Sequence, residues 1–538
     1  MMGLMMDRPL LTTGILKHAE RNFRTTEIVT RTVEGPIHRY TIEDSAKRIH
    51  QLANALTAMG VKQGDRVGVI GWNTYRQFEM YYAVGGLGAV LHTINPRLGP
   101  ENAAFVINHA EDEYLFYDTT FAPLVAALRP NLKTVNHYCA LTDADNAGEA
   151  GEGAAIYEDL IAGESASFNW PEFDENTAVT MCYTSGTTGD PKGVVYSHRA
   201  LVLQSFAACL PTAMSVEEGD VLLPVVPMFH VNAWNTPYSC LMTGIKQVYP
   251  GPRLDGEGLY ELLDSEQVTY SAGVPTVWLG LLQYLQKTGK KLPYLKKGLC
   301  GGSALPEALI RGFDEYGVEL QQGWGMTEMS PIGTVNLLPP RIRNLPIDER
   351  LPYQLKAGRA LPFVDMRIVS EDGEVLPCDG GSDGQLQVRG PWVIKEYYKA
   401  TAPTLTDDGW FDTGDVAIID KDGFLQITDR SKDVIKTGGE WVSSTDIENA
   451  ALLHAGVAQA GVIGVYHPRW QERPLLVIVK KPGKNPTEDE IKEFLKDKLD
   501  KIAWPDAVEF VDEIPLGATG KILKTELRKM FKGYELPG

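Results

Sequence analysis

Apolar residues recur at helical spacing through YTIEDSAKRIHQLANALTAMG (40–60), and the pattern stops at Gly60, a residue suited to closing a helix. The run RVGVIG (66–71) predicts a buried strand, YRQFEMYYAVGGLG (75–88) a helix and AVLHTIN (89–95) another strand. Strand, helix, strand at this spacing predicts a parallel sheet with helices on its faces. The same alternation returns around VLLPVVP (221–227), VTYSAGVP (268–275) and the strand ahead of CGGSALP (300–306). From about Gly358 the texture changes to short apolar runs between turns, VDMRIVS, EDGEVLP and GQLQVRG. These predict a small antiparallel, barrel-like section at about 341–431. Helical alternation then resumes, and in PTEDEIKEFLKDKL Thr487 and Glu490 stand as a capping box, with Ile491, Phe494 and Leu495 on one face. The fold class expected is α/β: a large N-terminal domain (1–431) of parallel-sheet subdomains plus the barrel-like section, then a small α+β C-terminal domain (432–538). No internal repeat is visible.

Composition changes this picture little. At 538 residues the chain is too long for one ordinary core, and 43% apolar with 22% charged residues is the balance of a globular protein. Apolar stretches are broken well before bilayer-spanning length, and MMGLMMDRPLLTTG lacks a basic leader and a cleavage site. A cytoplasmic enzyme is expected. The six cysteines (Cys139, Cys182, Cys209, Cys240, Cys300, Cys378) form no C-x-x-C pair, so buried free thiols are expected rather than disulfides or a zinc cluster. A net charge of −19 argues against nucleic-acid or anionic-membrane binding. It leaves small anionic ligands open, because a few local cations dominate a cleft.

Chemistry enters at YTSGTTGDPKGVVYSH (183–198). Its glycines let a backbone approach an anion closely and its hydroxyls can donate to the anion's oxygens. A Walker A loop needs a hydroxyl after its lysine, and here Lys192 is followed by Gly193. Taken alone, the loop also fits a flexible Gly/Thr surface segment. In QGWGMTEMSPIG (322–333) small neighbours leave the faces of Trp324 open for a purine, and Glu328 suits a hard cation. In GWFDTGDVAIID, Asp412 and Asp415 could equally be turn residues.

The whole string at 183–198, with the segments that follow it along the chain, resembles the AMP-forming adenylate enzymes: acyl-CoA synthetases, luciferases and peptide-synthetase adenylation domains. The resemblance implies ATP or AMP contacts at Thr184, Ser185, Gly186, Thr187, Thr188, Gly189 and Lys192. It implies a second group at Gly302, Ser303, Ala304, Trp324, Gly325, Met326 and Thr327, with Trp324 on the adenine. Asp415 is implied as the ribose carboxylate and Arg430 as a second ribose or phosphate contact. Mg²⁺ is implied on Thr184 and Glu328. In PMFHVNAW (227–234), His230 would lie beside the substrate carboxylate and Trp234 would gate the acyl side, with Val231, Gly301 and Pro331. The apolar stretch SAGVPTVWLGLLQYLQ (271–286) is expected on that side as well. In DRSKDVIKTGGEWVS, Lys432 matches the hinge, and Gly438, Gly439, Glu440 and Trp441 border the CoA tunnel. In PLGATGKILKTELR, Lys521 matches the catalytic lysine, while Lys524 reads as a solvated surface charge.

These parts imply a carboxylate attacking ATP to give acyl-AMP and pyrophosphate, then the CoA thiol giving acyl-CoA and AMP. Lys521, His230 and Glu328 would carry the chemistry, and rotation about Lys432 would exchange the two active faces. In wording (HVNAWNTPYS, WGMTEMSP, SKDVIKTGGEWVSS) the chain is similar to bacterial medium-chain fatty acyl-CoA ligases, and among them to 3-methylmercaptopropionate-CoA ligases of dimethylsulfoniopropionate degradation. A homodimer is implied by the same relatives. An amino-acid adenylating domain would need an acidic anchor and a downstream carrier. A luciferase-like oxygenase and a non-catalytic nucleotide-binding regulator complete the alternatives.

Overall fold

The computed structural model describes residues 1–184, 190–437, 440–517 and 522–536. Two large sheets form the body. The seven-stranded sheet runs, in spatial order, Ala155–Ile156, His137–Ala140, Tyr114–Tyr117, Arg66–Ile70, Val90–Thr93, Ala178–Tyr183 and Gly193–Ser197. Every pairing in it is parallel except the last, where Tyr183 pairs with Gly193 in antiparallel register. In the nine-stranded sheet the six strands from Glu319–Gly325 to Glu27–Arg31 are parallel, with antiparallel strands added at both edges. The helical crossovers expected from the hydrophobic pattern supply these parallel pairings.

Local signals act as predicted. Helix Ile42–Ala58 begins on a capping box between Thr41 and Asp44 and buries Ile42, Ala46, Ile49, Leu52, Ala53 and Leu56. Such a cap is worth about 1 kcal/mol. Helix Glu488–Lys496 starts on the expected box, with Glu490 accepting from the Thr487 N–H at 2.8 Å and Ile491 and Leu495 buried.

The expected barrel-like section is an open, antiparallel, four-stranded sheet, Asp365–Val369, Asp383–Arg389, Phe411–Ile419 and Leu425–Arg430. EDGEVLP does not form the strand its pattern predicts. Gly373, at φ +83°, turns the chain so that its N–H donates to the Ser370 carbonyl, and Val375 makes only an isolated bridge to Val369. Buried residues of this sheet, including Ile368, Leu386, Val388 and Leu425, join the core that runs beneath both large sheets.

Beyond Arg430 lies a five-stranded sheet with its own apolar clusters, one of them containing Ile435, Ile447, Val462, Leu476 and Ile491. Among the described residues, no helix is long and apolar enough to cross a membrane. Cys139, Cys182, Cys240 and Cys300 are buried free thiols, Cys209 is half-buried and Cys378 is exposed.

Candidate nucleotide and acyl site

Ligands of open α/β sheets lie outside the carboxyl ends of parallel strands, and the candidate residues gather there. Thr184 and Lys192 follow Ala178–Tyr183, the segment from His230 follows Val221–Pro224, and Gly301 to Ala304 follow Lys297–Cys300. Trp324 and Gly325 end strand Glu319–Gly325, and Thr327 and Glu328 come immediately after it.

The first group is built on strand pairing. Asp415 lies directly opposite Arg430 in the antiparallel ladder. The Arg430 Nε donates to one Asp415 oxygen at 2.8 Å, and the Trp324 indole N–H donates to the other at 2.9 Å. The adenine candidate and the ribose candidate are thus in direct contact, although 91 residues separate them. A Cβ on Gly333 would stand 2.8 Å from the Trp324 ring, so glycine there lets backbone lie against the indole. At Gly325 a Cβ would sit 2.0 Å from the Pro331 carbonyl oxygen, which accepts from the Met326 N–H at 3.0 Å. Only glycine permits this crossing, which joins two predicted site residues through backbone.

The second group surrounds Glu328, which is almost fully buried. The Tyr397 hydroxyl donates to its Oε1 at 2.7 Å, and the Lys192 ammonium stands 4.9 Å from the centre of the same ring. Burial, and then the Glu328 charge, raise the Tyr397 phenol well above its ordinary value, so it remains a donor. Tyr196 donates to the Thr327 carbonyl at 2.8 Å. The Thr184 N–H donates to the Lys192 carbonyl at 2.9 Å, closing the base of the glycine-rich loop. Ser185, Gly186, Thr187, Thr188 and Gly189 lie outside the described residues, as do Gly438, Gly439, Lys521 and the side chain of Glu440.

The third group is on the acyl side. His230 precedes five consecutive residues, Val231 to Asn235, whose φ values run from +46° to +60°. A left-handed turn of L-residues costs roughly 1–2 kcal/mol per residue, so other contacts must hold it. Asn232 donates to the Thr180 hydroxyl at 3.1 Å, and Asn235 donates to the Gln204 amide oxygen at 2.6 Å and to the Ser330 carbonyl at 2.8 Å. The turn lays the Trp234 indole over Gly301, where an added Cβ would come within 2.9 Å of the ring. Trp234 and Gly301 are thereby brought into contact. Helix Pro275–Thr288 departs from expectation: Trp278, Leu281 and Leu285 pack with Leu262 and Phe313 in a separate core. Their apolar character serves packing between helices.

Trp441 lies on the hairpin with Lys436, whose ammonium is 5.7 Å from its ring. The Lys432 carbonyl accepts from Arg528 at 3.2 Å, and burial draws the Lys432 ammonium below the usual lysine range. Lys524 is not the solvated surface charge its position suggests. It is nearly buried and pairs with Glu448 at 2.9 Å, because two helices distant in sequence meet there. Tyr196, Asn232, Asn235 and Tyr397 were not predicted. Only the two asparagines carry a signal, since asparagine tolerates left-handed backbone better than most residues.

The AMP-binding enzyme pattern matches residues 16–398, and that of the AMP-binding enzyme C-terminal domain matches 446–521. The chain belongs to the AMP-binding enzymes. A 3-methylmercaptopropionyl-CoA ligase of Ruegeria lacuscaerulensis is 48% identical over 534 residues, covering 99% of each chain. A long-chain-fatty-acid–CoA ligase of Thermus thermophilus is 47% identical, covering 98% of this chain and 97% of its own. Among solved structures, ATP-bound MatB from Rhodopseudomonas palustris superposes with a TM-score of 0.80 at 26% identity, covering 96% of this chain and 99% of that one. The first match spans both large sheets, and the second covers three strands of the five-stranded C-terminal sheet.

Proposed function

We propose that this AMP-binding enzyme is an ATP-dependent acid–CoA ligase whose preferred acid is 3-(methylthio)propionate. The observation that carries the reaction class is the pairing of Trp324, Asp415 and Arg430 beside the group of Lys192, Tyr397 and Glu328. It offers an aromatic face, two carboxylates and two cations to a nucleotide and its metal ion.

In the first half-reaction the acid's carboxylate oxygen attacks the α-phosphorus of ATP, and the bond to pyrophosphate breaks. Two anions approach each other, so fixed positive charge lowers the barrier. Thr184 and Lys192, with Ser185, Thr187 and Thr188 of the loop, hold the departing phosphates. Trp324 takes the adenine against Gly302, Ser303 and Ala304, Asp415 and Arg430 take the ribose, and Lys521 faces the reacting oxygens. In the second half-reaction the CoA sulfur attacks the acyl carbonyl, AMP leaves and the thiol gives up its proton. Gly438, Gly439, Glu440 and Trp441 border that thiol's approach once the C-terminal unit has turned about Lys432.

Glu328 and Thr184 fit Mg²⁺, since both offer the hard oxygens that such a cation takes alongside phosphate and water ligands. When bound, the ion would neutralise phosphate charge. His230 and Val231 border the acid, and Trp234 over Gly301 narrows the acyl side, which suits a short chain. The Ruegeria relative's name supplies the thioether acid. The Thermus relative, almost as similar, favours a fatty acid as the second reading.

Pyrophosphate release with acids from propionate through 3-(methylthio)propionate to decanoate, plus an amino acid, with and without CoA, tests this. The highest kcat/KM is expected for 3-(methylthio)propionate, with thioester formed only when CoA is present. A clear preference for decanoate would overturn the acid assignment, and release with the amino acid alone would overturn the class. The reading also carries a cytoplasmic homodimer, whose mass light scattering reads directly.

A further inference from the structure

Tyr397 belongs to none of the groups described by the sequence, yet its side chain touches two of them. Its hydroxyl donates to Glu328 Oε1 at 2.7 Å, and its ring carries the Lys192 ammonium 4.9 Å from the centroid. That distance lies within the roughly 6 Å over which a cation is attracted to an aromatic face. We propose that Tyr397 is a positioning residue that ties the phosphate-loop lysine and the cation-holding carboxylate into one unit. The inference rests on the ligase reading for the roles of Lys192 and Glu328.

The backbone separates this role from simple packing. The Ile394 N–H donates to the Glu328 carbonyl at 2.7 Å, and the Tyr398 N–H donates to the Gly193 carbonyl at 2.9 Å. Those two bonds already stitch the segment to both sides of the site, so the Tyr397 side chain is not needed to hold it there. Its neighbour shows what a packing tyrosine does in the same segment. The Tyr398 ring lies edge-on to His109 at 5.6 Å and contacts neither Lys192 nor Glu328 among the ring and hydrogen-bond contacts of the described residues.

Glu328 is almost fully buried, so its rotamer depends on the groups around it. A donated hydrogen bond fixes which oxygen faces the phenol and leaves the other direction for a cation. A donor that orients a metal-binding carboxylate typically matters by ten- to a hundredfold in metal affinity when removed. The Lys192 ammonium stands over the ring of the same side chain, 4.9 Å from its centroid, so one phenol contacts both charges that a bound triphosphate and its cation would use.

The test is calorimetry of ATP binding with Mg²⁺ and with EDTA, alongside AMP binding in EDTA, for the full-length protein. In the wild type Mg²⁺ is expected to tighten ATP binding. Tyr397→Phe keeps the ring and loses the hydroxyl, so the Mg²⁺-dependent tightening is expected to fall about tenfold while AMP binding in EDTA is unchanged. Tyr397→Leu is expected to weaken ATP binding in EDTA about threefold as well, through Lys192. On a Glu328→Gln background Tyr397→Phe should have no further effect on the Mg²⁺ dependence. Unchanged Mg²⁺ dependence in Tyr397→Phe, multiplicative effects on the Glu328→Gln background, or an equal loss of AMP binding in EDTA would each overturn the proposal. Failure of the wild type to release pyrophosphate with every acid would instead remove the ligase reading, and the binding data would still decide whether Tyr397 couples these two side chains.

Discussion

Asp429 and Arg430 are neighbours on one strand, and the strand's alternation turns them to opposite faces. Arg430 faces the candidate nucleotide site, pairs with Asp415 and keeps 42% of its side chain exposed. Asp429 is buried and faces the C-terminal unit, where it accepts from the Ser444 N–H at 2.7 Å and the Ser444 hydroxyl at 2.6 Å. Lys524 continues this second network, donating to the Ser444 hydroxyl and pairing with Glu448. Arg430, turned to the ligand, stays partly in water with its geometry set by the buried Asp415. Asp429 and Lys524 are withdrawn from water and closed on partners in the C-terminal unit.

The comparison is broken most forcefully at Lys524. Removing one partner of a buried ion pair leaves the other charge uncompensated, at a cost of about 3–5 kcal/mol, whereas replacing both by apolar residues is often neutral. Lys524→Met is therefore expected to lower stability to chemical denaturation by about 3–5 kcal/mol, and Glu448→Leu with Lys524→Met to recover most of it. A loss below about 1 kcal/mol for the single variant, as for an exposed pair, would return Lys524 to the surface class.

The pH dependence sharpens this. Burial alone would lower the Lys524 ammonium, but Glu448, Asp429 and Asp433 outweigh it and hold the group above the ordinary lysine value of 10.5. Native Lys524 then keeps its proton after the unfolded chain has lost it. Its contribution is fully present below about pH 10.5 and fades as the pH rises through the folded value. The stability difference between the wild type and the doubly apolar protein should shift against the wild type above that point.

Lys524 also marks where sequence stops being informative. Glu448 lies 76 residues away, and no periodicity links a lysine on one helix to a glutamate on another. Periodicity works within an element, which is why helix Ile42–Ala58 and the box at Thr487 were legible. At Gly325 the sequence showed only a small neighbour beside Trp324; that its missing side chain admits the Pro331 carbonyl is seen only in the fold. Other contacts that only the fold assembles were not legible either: Tyr397 on Glu328, or the left-handed turn after His230. EDGEVLP failed for a related reason, since it stands among strand-like runs but the glycine within it turns the chain.

The ligand-facing side gives a smaller effect of a different kind. Asp415→Asn keeps the shape and hydrogen-bonding oxygen of the side chain but removes the charge. A hydrogen bond to a charged group is worth about 1.5–3 kcal/mol, so AMP affinity is expected to fall by about tenfold or more in a calorimetric titration. Stability should change far less than at Lys524, because the Arg430 left without its ion partner is reached by water. A stability loss as large as that of Lys524→Met, with unchanged AMP affinity, would reverse the two faces.

Lys436 supplies the control. It donates to Glu371 at 2.9 Å and so also links the C-terminal sheet to the four-stranded sheet, but both side chains are more than half exposed. Its distance is as short as that of Lys524 to Glu448, so geometry alone would rank the two together. Burial ranks them apart, since an exposed pair is screened by water and salt and gains about 0–1 kcal/mol. Lys436→Ala is expected to lower unfolding stability by less than about 1 kcal/mol, and by less still in high salt. If it matched Lys524→Met, burial would lose its place as the property separating the two faces of strand Leu425–Arg430.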